Sequence, residues 1–162
     1  MFNEKLHKAL NEQINAEIHS SYLYLSMASW FEAENLKGMA KWMHGQAAEE
    51  HKHAMKFFHF IEERRARVTL TTIEGPKTSW DSPLQAFEEA FAHEEYISGR
   101  INKLMKLAKE TDDYAAEEFL HWFVKEQVEE EASVDEVVQR LKMLGDARNG
   151  LYMLDRELGQ RS

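Results

Sequence analysis

A chain of 162 residues, 43% hydrophobic and 30% charged, is long enough for one domain with a sizeable core and has the balance of a soluble globular protein. Its net charge of −9 excludes the basic footprint that a nucleic-acid surface requires, and suits a protein that attracts cations. The absence of cysteine excludes disulfides, zinc–thiolate sites and iron–sulfur clusters. The start, MFNEKLHKAL, holds no apolar stretch for a signal peptide or a membrane span, so the expected compartment is the cytoplasm.

Seven glycines and two prolines leave room for long helices, and apolar residues recur at helical spacing almost throughout. The periodicity predicts helices over 3–33, 37–65, 82–110 and 113–144, with a short fifth over 146–158, DARNGLYMLDREL. Brief turns at Glu34–Asn35 and at Thr111–Asp112 make two antiparallel hairpins. The middle connection, RVTLTTIEGPKTSWDSP, carries Gly75, Pro76, Pro83 and β-branched residues that disfavour helix. Its roughly sixteen residues at about 3.3 Å each reach about 50 Å. The second helix, of roughly 28 residues at about 1.5 Å each, is about 42 Å long. The connection can therefore return along the whole bundle, leaving the second and third helices parallel. The expected fold is all-α: a single unit over 1–162, built as a four-helix bundle over 3–144 with one long crossover and a short C-terminal helix.

The inward stripes share one anomaly. The first helix offers Leu10, Glu17, Tyr24 and Phe31, and the second Met39, Met43, Gln46, Glu50, His53, Phe57 and Phe60. The third offers Leu84, Phe87, Phe91, Glu94, Ser98, Ile101 and Met105, and the fourth Leu120, Phe123, Gln127, Glu130, Val134, Val137, Leu141 and Leu144. Each is apolar at its ends and polar in its middle. Glu17, Glu50 and His53 shifted by 77 positions land on Glu94, Gln127 and Glu130, so the two hairpins carry equivalent polar sets at one level.

Carboxylates in an apolar seam cost several kcal/mol each unless neutralised, and no lysine or arginine stands on a seam at that level. Two divalent cations balance the four carboxylates, which points to a dinuclear metal site. Hard oxygen donors with one imidazole favour iron or manganese over zinc or cuprous ion. The established pattern of carboxylate-bridged bundle sites repeats Glu-x-x-His on two helices. Here Glu50 and His53 keep it, whereas the second hairpin has Gln127 and Glu130.

NEQINAEIHSSYLYLSMASWF, AAEEHKHAMKF, HEEYISGRIN, FLHWFVKEQVEEEAS and GLYMLDREL together resemble the haem-free ferritins of bacteria and archaea, over essentially the whole chain. The resemblance implies iron storage and detoxification in a hollow homo-oligomer of 24 subunits. It also implies ferroxidase activity, in which Fe(II) is oxidised by O2 or H2O2 and the product stored as hydrated ferric oxide. Two irons per subunit are implied, with Glu17 and His53 on the first, Glu50 bridging, and Glu94 and Glu130 on the second. Gln127 would stand beside the second iron, and Tyr24 would serve electron or proton transfer. Glu49, Glu126, Glu129 and Glu130 match the family's third iron site. A haem is not implied, because His51 occupies the place where the haem-binding relatives carry methionine. Met27, Met39, Met43 and Met55 are expected to pack, His44, His51, His59, His93 and His121 to be surface residues or neighbours of the site, and Trp122 and Phe123 to be core or to adjoin it. The alternatives are a di-iron oxygenase or peroxidase and a DNA-protecting miniferritin. The first generally keeps two Glu-x-x-His motifs, and the second places its irons between subunits.

Overall fold

The computed structural model describes residues 2–161. They form five helices: α1 Glu4–Ala33, α2 Lys37–Glu63, α3 Pro83–Glu110, α4 Tyr114–Leu144 and α5 Arg148–Leu158. Local chemistry sets their ends. Asn3 accepts from the backbone N–H groups of Lys5 and Leu6 at the start of α1, Ser82 from Gln85 at the start of α3, and Asp113 from Ala116 at the start of α4. Pro83 occupies the first turn of α3, where its missing N–H costs nothing. Asn35, Arg65, Asp112 and Gly145, with φ of 61, 57, 51 and 56°, turn the chain out of α1, α2, α3 and α4 through the left-handed region.

The crossover runs alongside α1 in the same direction. His7 Nε2 pairs with the Arg67 carbonyl, Asn11 accepts from Thr69 N–H, Asn15 donates to the hydroxyl of Thr71 and the carbonyl of Thr72, and Ser26 donates to the Lys77 carbonyl. Trp80 then meets Trp30, with ring centroids 5.9 Å apart. Because α1 and α2 are antiparallel, this path returns the chain to the start of α2, and α2 and α3 are parallel. The fold is the expected all-α bundle with one long crossover and a short fifth helix.

The core comes in two apolar halves. Leu6, Leu10, Phe57, Ile61, Ile101, Leu120 and Phe123 fill one end. Met27, Phe31, Met39, Met43, Phe87, Val134 and Leu141 fill the other. Between them lies a buried polar belt: Gln13, Glu17, Ser20, Gln46, Glu50, His53, Glu94, Gln127 and Glu130.

The α3 stripe differs from its sequence reading. Ala86, Ala90, Ile97, Leu104 and Ala108 are buried beside Phe87, Glu94 and Ile101, whereas Leu84, Phe91, Ser98 and Met105 are only partly buried. Large residues dominated the reading, but a close helix approach is made by small ones, and alanine fits where phenylalanine would overpack. For the same reason of register, Ile61 rather than Phe60 ends the buried face of α2, and Leu144 is half-buried.

The α5 helix folds back on its own chain. Leu154 and Leu158 are buried in the half-core that contains Met39, with Leu151 packed against it. The start of α2 has no side-chain cap from its own N-cap residue, Leu36. Asp155 of α5 supplies one, its Oδ1 accepting from Met39 N–H at 2.8 Å. Gly38 is required at this crossing, because a Cβ there would strike the Asp155 carbonyl.

Candidate metal centre

The heptad spacing of α1 and the four-then-three spacing of α2 aim Glu17, Glu50 and His53 at one another. Their ligand atoms lie within 4.8 Å of one another, and each residue is at most 1% exposed. A second group, Glu50, Glu94 and Glu130, meets the same 4.8 Å limit. Glu50 belongs to both. Two three-ligand sites sharing one carboxylate is the arrangement a pair of cations with a bridge requires.

Donor chemistry fits hard cations. Glu17 Oε2, Glu50 Oε1 and His53 Nε2 are buried and have no hydrogen-bond partner among the described residues. The other imidazole nitrogen, His53 Nδ1, faces the carboxylates, 3.2 Å from Glu50 Oε2 and 4.0 Å from Glu17 Oε2. Burial raises the Glu50 carboxyl well above the ordinary carboxylate range, with Glu94 and Glu17 adding to it. Burial and Glu130 push Glu94 up to about 7, against the hydrogen bonds from Tyr24 and Gln127, which pull it down. An acid forced upward by desolvation and like charge is an acid short of a counter-cation.

Around the ligands, three of the four carboxylates, Glu17, Glu94 and Glu130, are steered by a neighbour. The Tyr24 hydroxyl, fully buried, donates to Glu94 Oε1 at 2.6 Å. Burial, followed by the Glu94 and Glu50 charges, holds that phenol well above its ordinary pKa, so it stays protonated as a donor. Gln127 Nε2 lies 3.2 Å from both the Glu94 carbonyl and Glu94 Oε2, and 3.1 Å from Ser98 Oγ. Gln13 Nε2 donates to Glu17 Oε1 at 2.9 Å, and Gln46 Nε2 to Glu130 Oε2 at 2.9 Å. Behind these two amides stand arginines: Arg100 Nε donates to Gln13 Oε1 at 2.9 Å and Arg161 Nη2 to Gln46 Oε1 at 2.6 Å. The cations therefore touch amides and not the cluster carboxylates. The heptad reading missed Gln13 and Arg100. Gln13, four residues before Glu17 on one helix face, was the available signal.

All six residues of the duplicated set, Glu17, Glu50, His53, Glu94, Gln127 and Glu130, are thus brought to one level. The Glu49, Glu126 and Glu129 group is less compact. Glu126 joins His53 and Glu130 within 4.8 Å, while Glu49 points to Lys52 at 3.8 Å. Glu129 is exposed. Burial and Glu130 raise the Glu126 carboxyl, and the charges of Glu129 and Glu49 also reach it. Of the two places expected for Trp122, it takes the one beside the site: it is 39% exposed, capped by Lys56 Nζ 3.6 Å above its ring, and packs edge-to-face on His53 at 5.4 Å. Phe123 is buried against Phe57 and His53. His93, half-buried, lies 2.6 Å from the Ser20 hydroxyl, and burial and His19 lower its pKa to about 4. His44, His51, His59 and His121 are exposed. Of the methionines, Met27, Met39 and Met43 are core residues and Met55 is half-buried.

The ferritin-like domain family matches residues 7–144, which include every residue of both clusters. The chain belongs to the ferritin family. A bacterial non-heme ferritin of Bacteroides fragilis is 43% identical to this ferritin chain over 161 residues, covering 99% of it and 100% of the relative. A probable bacterial non-heme ferritin-like protein of Haemophilus influenzae is 36% identical, covering 100% of this chain and 98% of the relative. Among solved structures, an open pore ferritin from the archaeon Archaeoglobus fulgidus superposes on this ferritin with a TM-score of 0.99 at 49% identity, over 100% of both chains.

Proposed function

We propose that residues 1–162 form one ferritin-like unit in which Glu17, Glu50, His53, Glu94 and Glu130 bind two ferrous ions as substrate. The protein is a ferroxidase and an iron store. One observation carries the assignment of residues: two buried three-ligand groups share Glu50 and leave carboxylate oxygens without partners among the described residues.

In this reading Glu50 bridges the two irons, Glu17 and His53 complete the first site, and Glu94 and Glu130 complete the second. Carboxylates change between terminal and bridging modes without moving a helix, so the site tolerates a change in iron charge. Gln127, with its amide nitrogen on Glu94, orients that ligand and any water or oxygen beside it. Tyr24, a protonated donor to Glu94, adjusts the same carboxylate and stands where an electron or proton could pass. Glu126 with Glu130, and Glu49 and Glu129 nearby, form an exit or third iron site. The electrons go to O2 or H2O2, and hydrolysis of the ferric product releases protons.

The cage reading rests on the family, since α5 docks on its own chain. Archaeoglobus fulgidus ferritin is described as having an open pore. We assign this chain to a homo-oligomeric shell, of 24 subunits in the family's usual form. The family resemblance places it in the cytoplasm; no helix of the described residues is long and apolar enough to cross a membrane. No haem and no nucleic acid belong to this reading.

Gel filtration after aerobic loading with ferrous salt tests shell and chemistry together. Ferric absorbance co-eluting with a large protein assembly is the expected result. Ferric oxide precipitating apart from an iron-free protein would overturn it.

A further inference from the structure

We infer that Arg161 is a positioning residue for the metal centre: acting through Gln46, it sets the orientation of Glu130. The inference rests on the reading of Glu50, Glu94 and Glu130 as a metal site.

Arg161 lies beyond the end of α5, three residues after Leu158. Its guanidinium reaches across α2, donating from Nη1 to the Trp42 carbonyl at 3.0 Å and from Nη2 to Gln46 Oε1 at 2.6 Å. The group also sits 4.8 Å from the centre of the Trp42 ring. Gly45 leaves the channel for it, since a Cβ there would stand 3.0 Å from Arg161 Nε.

A guanidinium has donors only, so the amide atom it faces is the oxygen of Gln46. That choice turns the Gln46 nitrogen inward, onto Glu130 Oε2 at 2.9 Å. Gln46 is 1% exposed and Glu130 6% exposed, so the relay runs where water does not compete for the amide. Without the arginine the Gln46 oxygen loses its partner and the amide is held at the Glu130 end alone. The side chain is then free to move with Glu130, and the bond that holds one carboxylate oxygen is no longer anchored to α2 and the C-terminal segment. Across the centre, Arg100 and Gln13 hold Glu17 in the same way. The two relays differ in origin. Arg100 is carried by a bundle helix, whereas Arg161 is delivered only when α5 is docked. The docking of the C-terminal helix is therefore coupled to the geometry of one metal position.

Cobalt(II) binding to the metal-free protein, followed by calorimetry and by d–d absorption, tests this. The site with His53 has an imidazole donor and the site with Glu94 and Glu130 has oxygen donors only, so their spectra differ. Wild type should bind two Co(II) per subunit; a protein that binds none at the cluster sinks the metal-site reading itself, and this inference with it. Given binding, Arg161→Ala should weaken the oxygen-only site roughly tenfold and leave the His53 site unchanged. Gln46→Leu, which keeps the Arg161 contact with Trp42, should do the same. Adding Arg161→Ala to Gln46→Leu should weaken it no further, and Arg161→Lys should restore part of the loss. If Arg161→Ala lowers only the melting temperature while both cobalt affinities stay within about twofold, or if Gln46→Leu binds as wild type, the relay has no positioning role.

Discussion

Glu50 stands in both ligand groups, so its removal breaks both metal positions at once, and His53 is the only imidazole among them. Glu50→Ala combined with His53→Ala should abolish rapid ferrous oxidation while leaving the assembly intact, measured by stopped-flow absorbance and gel filtration. Unchanged oxidation kinetics would remove these two residues from the chemistry. Glu94 gives a pH signature. Its carboxyl is raised from an ordinary 4.5 to about 7, so the folded metal-free protein binds more protons than the unfolded chain between those values. Stability from this group is therefore lost as pH rises from 4.5 to about 7, and the penalty is complete above. Metal-free wild type should melt progressively lower across that window relative to Glu94→Gln, and added divalent metal should recover more at the upper end. A gap between the two proteins that shrinks as pH rises would contradict this. Tyr24→Phe removes a bond that lowers the Glu94 pKa, so it should move the pH midpoint of metal binding upward. A midpoint unmoved or shifted downward would count against that role. The acids and His53 were legible in the sequence because a charge on an apolar stripe breaks a period. Arg161 was not, because no period governs a tail residue and its length lets it act across α2.

At the scale of elements, α5 is held by close backbone approach as much as by its leucines. Alanine at position 38 would ordinarily favour helix by up to about 1 kcal/mol over glycine. Here its Cβ would collide with the Asp155 carbonyl, and overpacking of this kind costs about 1–3 kcal/mol. The collision should win: Gly38→Ala is expected to lower the melting temperature and speed proteolysis of the C-terminal segment. A more stable variant would show that α5 does not dock there. Asp155→Ala removes the cap on Met39 N–H and should cost about 1 kcal/mol, seen as a lower denaturation midpoint. Helix boundaries and the long crossover were readable from caps, prolines and reach. The α3 seam was read correctly at Phe87, Glu94 and Ile101 but missed its small members, because Ala86 and Ala90 carry little hydrophobic signal yet are fully buried. Asp155 gave no signal either, since capping the start of a helix from another element has no local pattern.

The whole molecule places a costly polar belt between two apolar half-cores. Four buried carboxylates at one level are costly unless protonated or given compensating charge, and Arg100 and Arg161 donate to Gln13 and Gln46 instead. The net charge of −9 favours the arrival of cations. We propose that two ferrous ions provide the missing charge midway along the bundle. Anomalous diffraction at the iron absorption edge from crystals soaked anaerobically in ferrous salt tests this. Two anomalous peaks per subunit are expected, one among Glu17, Glu50 and His53 and one among Glu50, Glu94 and Glu130; a difference map empty at both positions would rule out the di-iron centre.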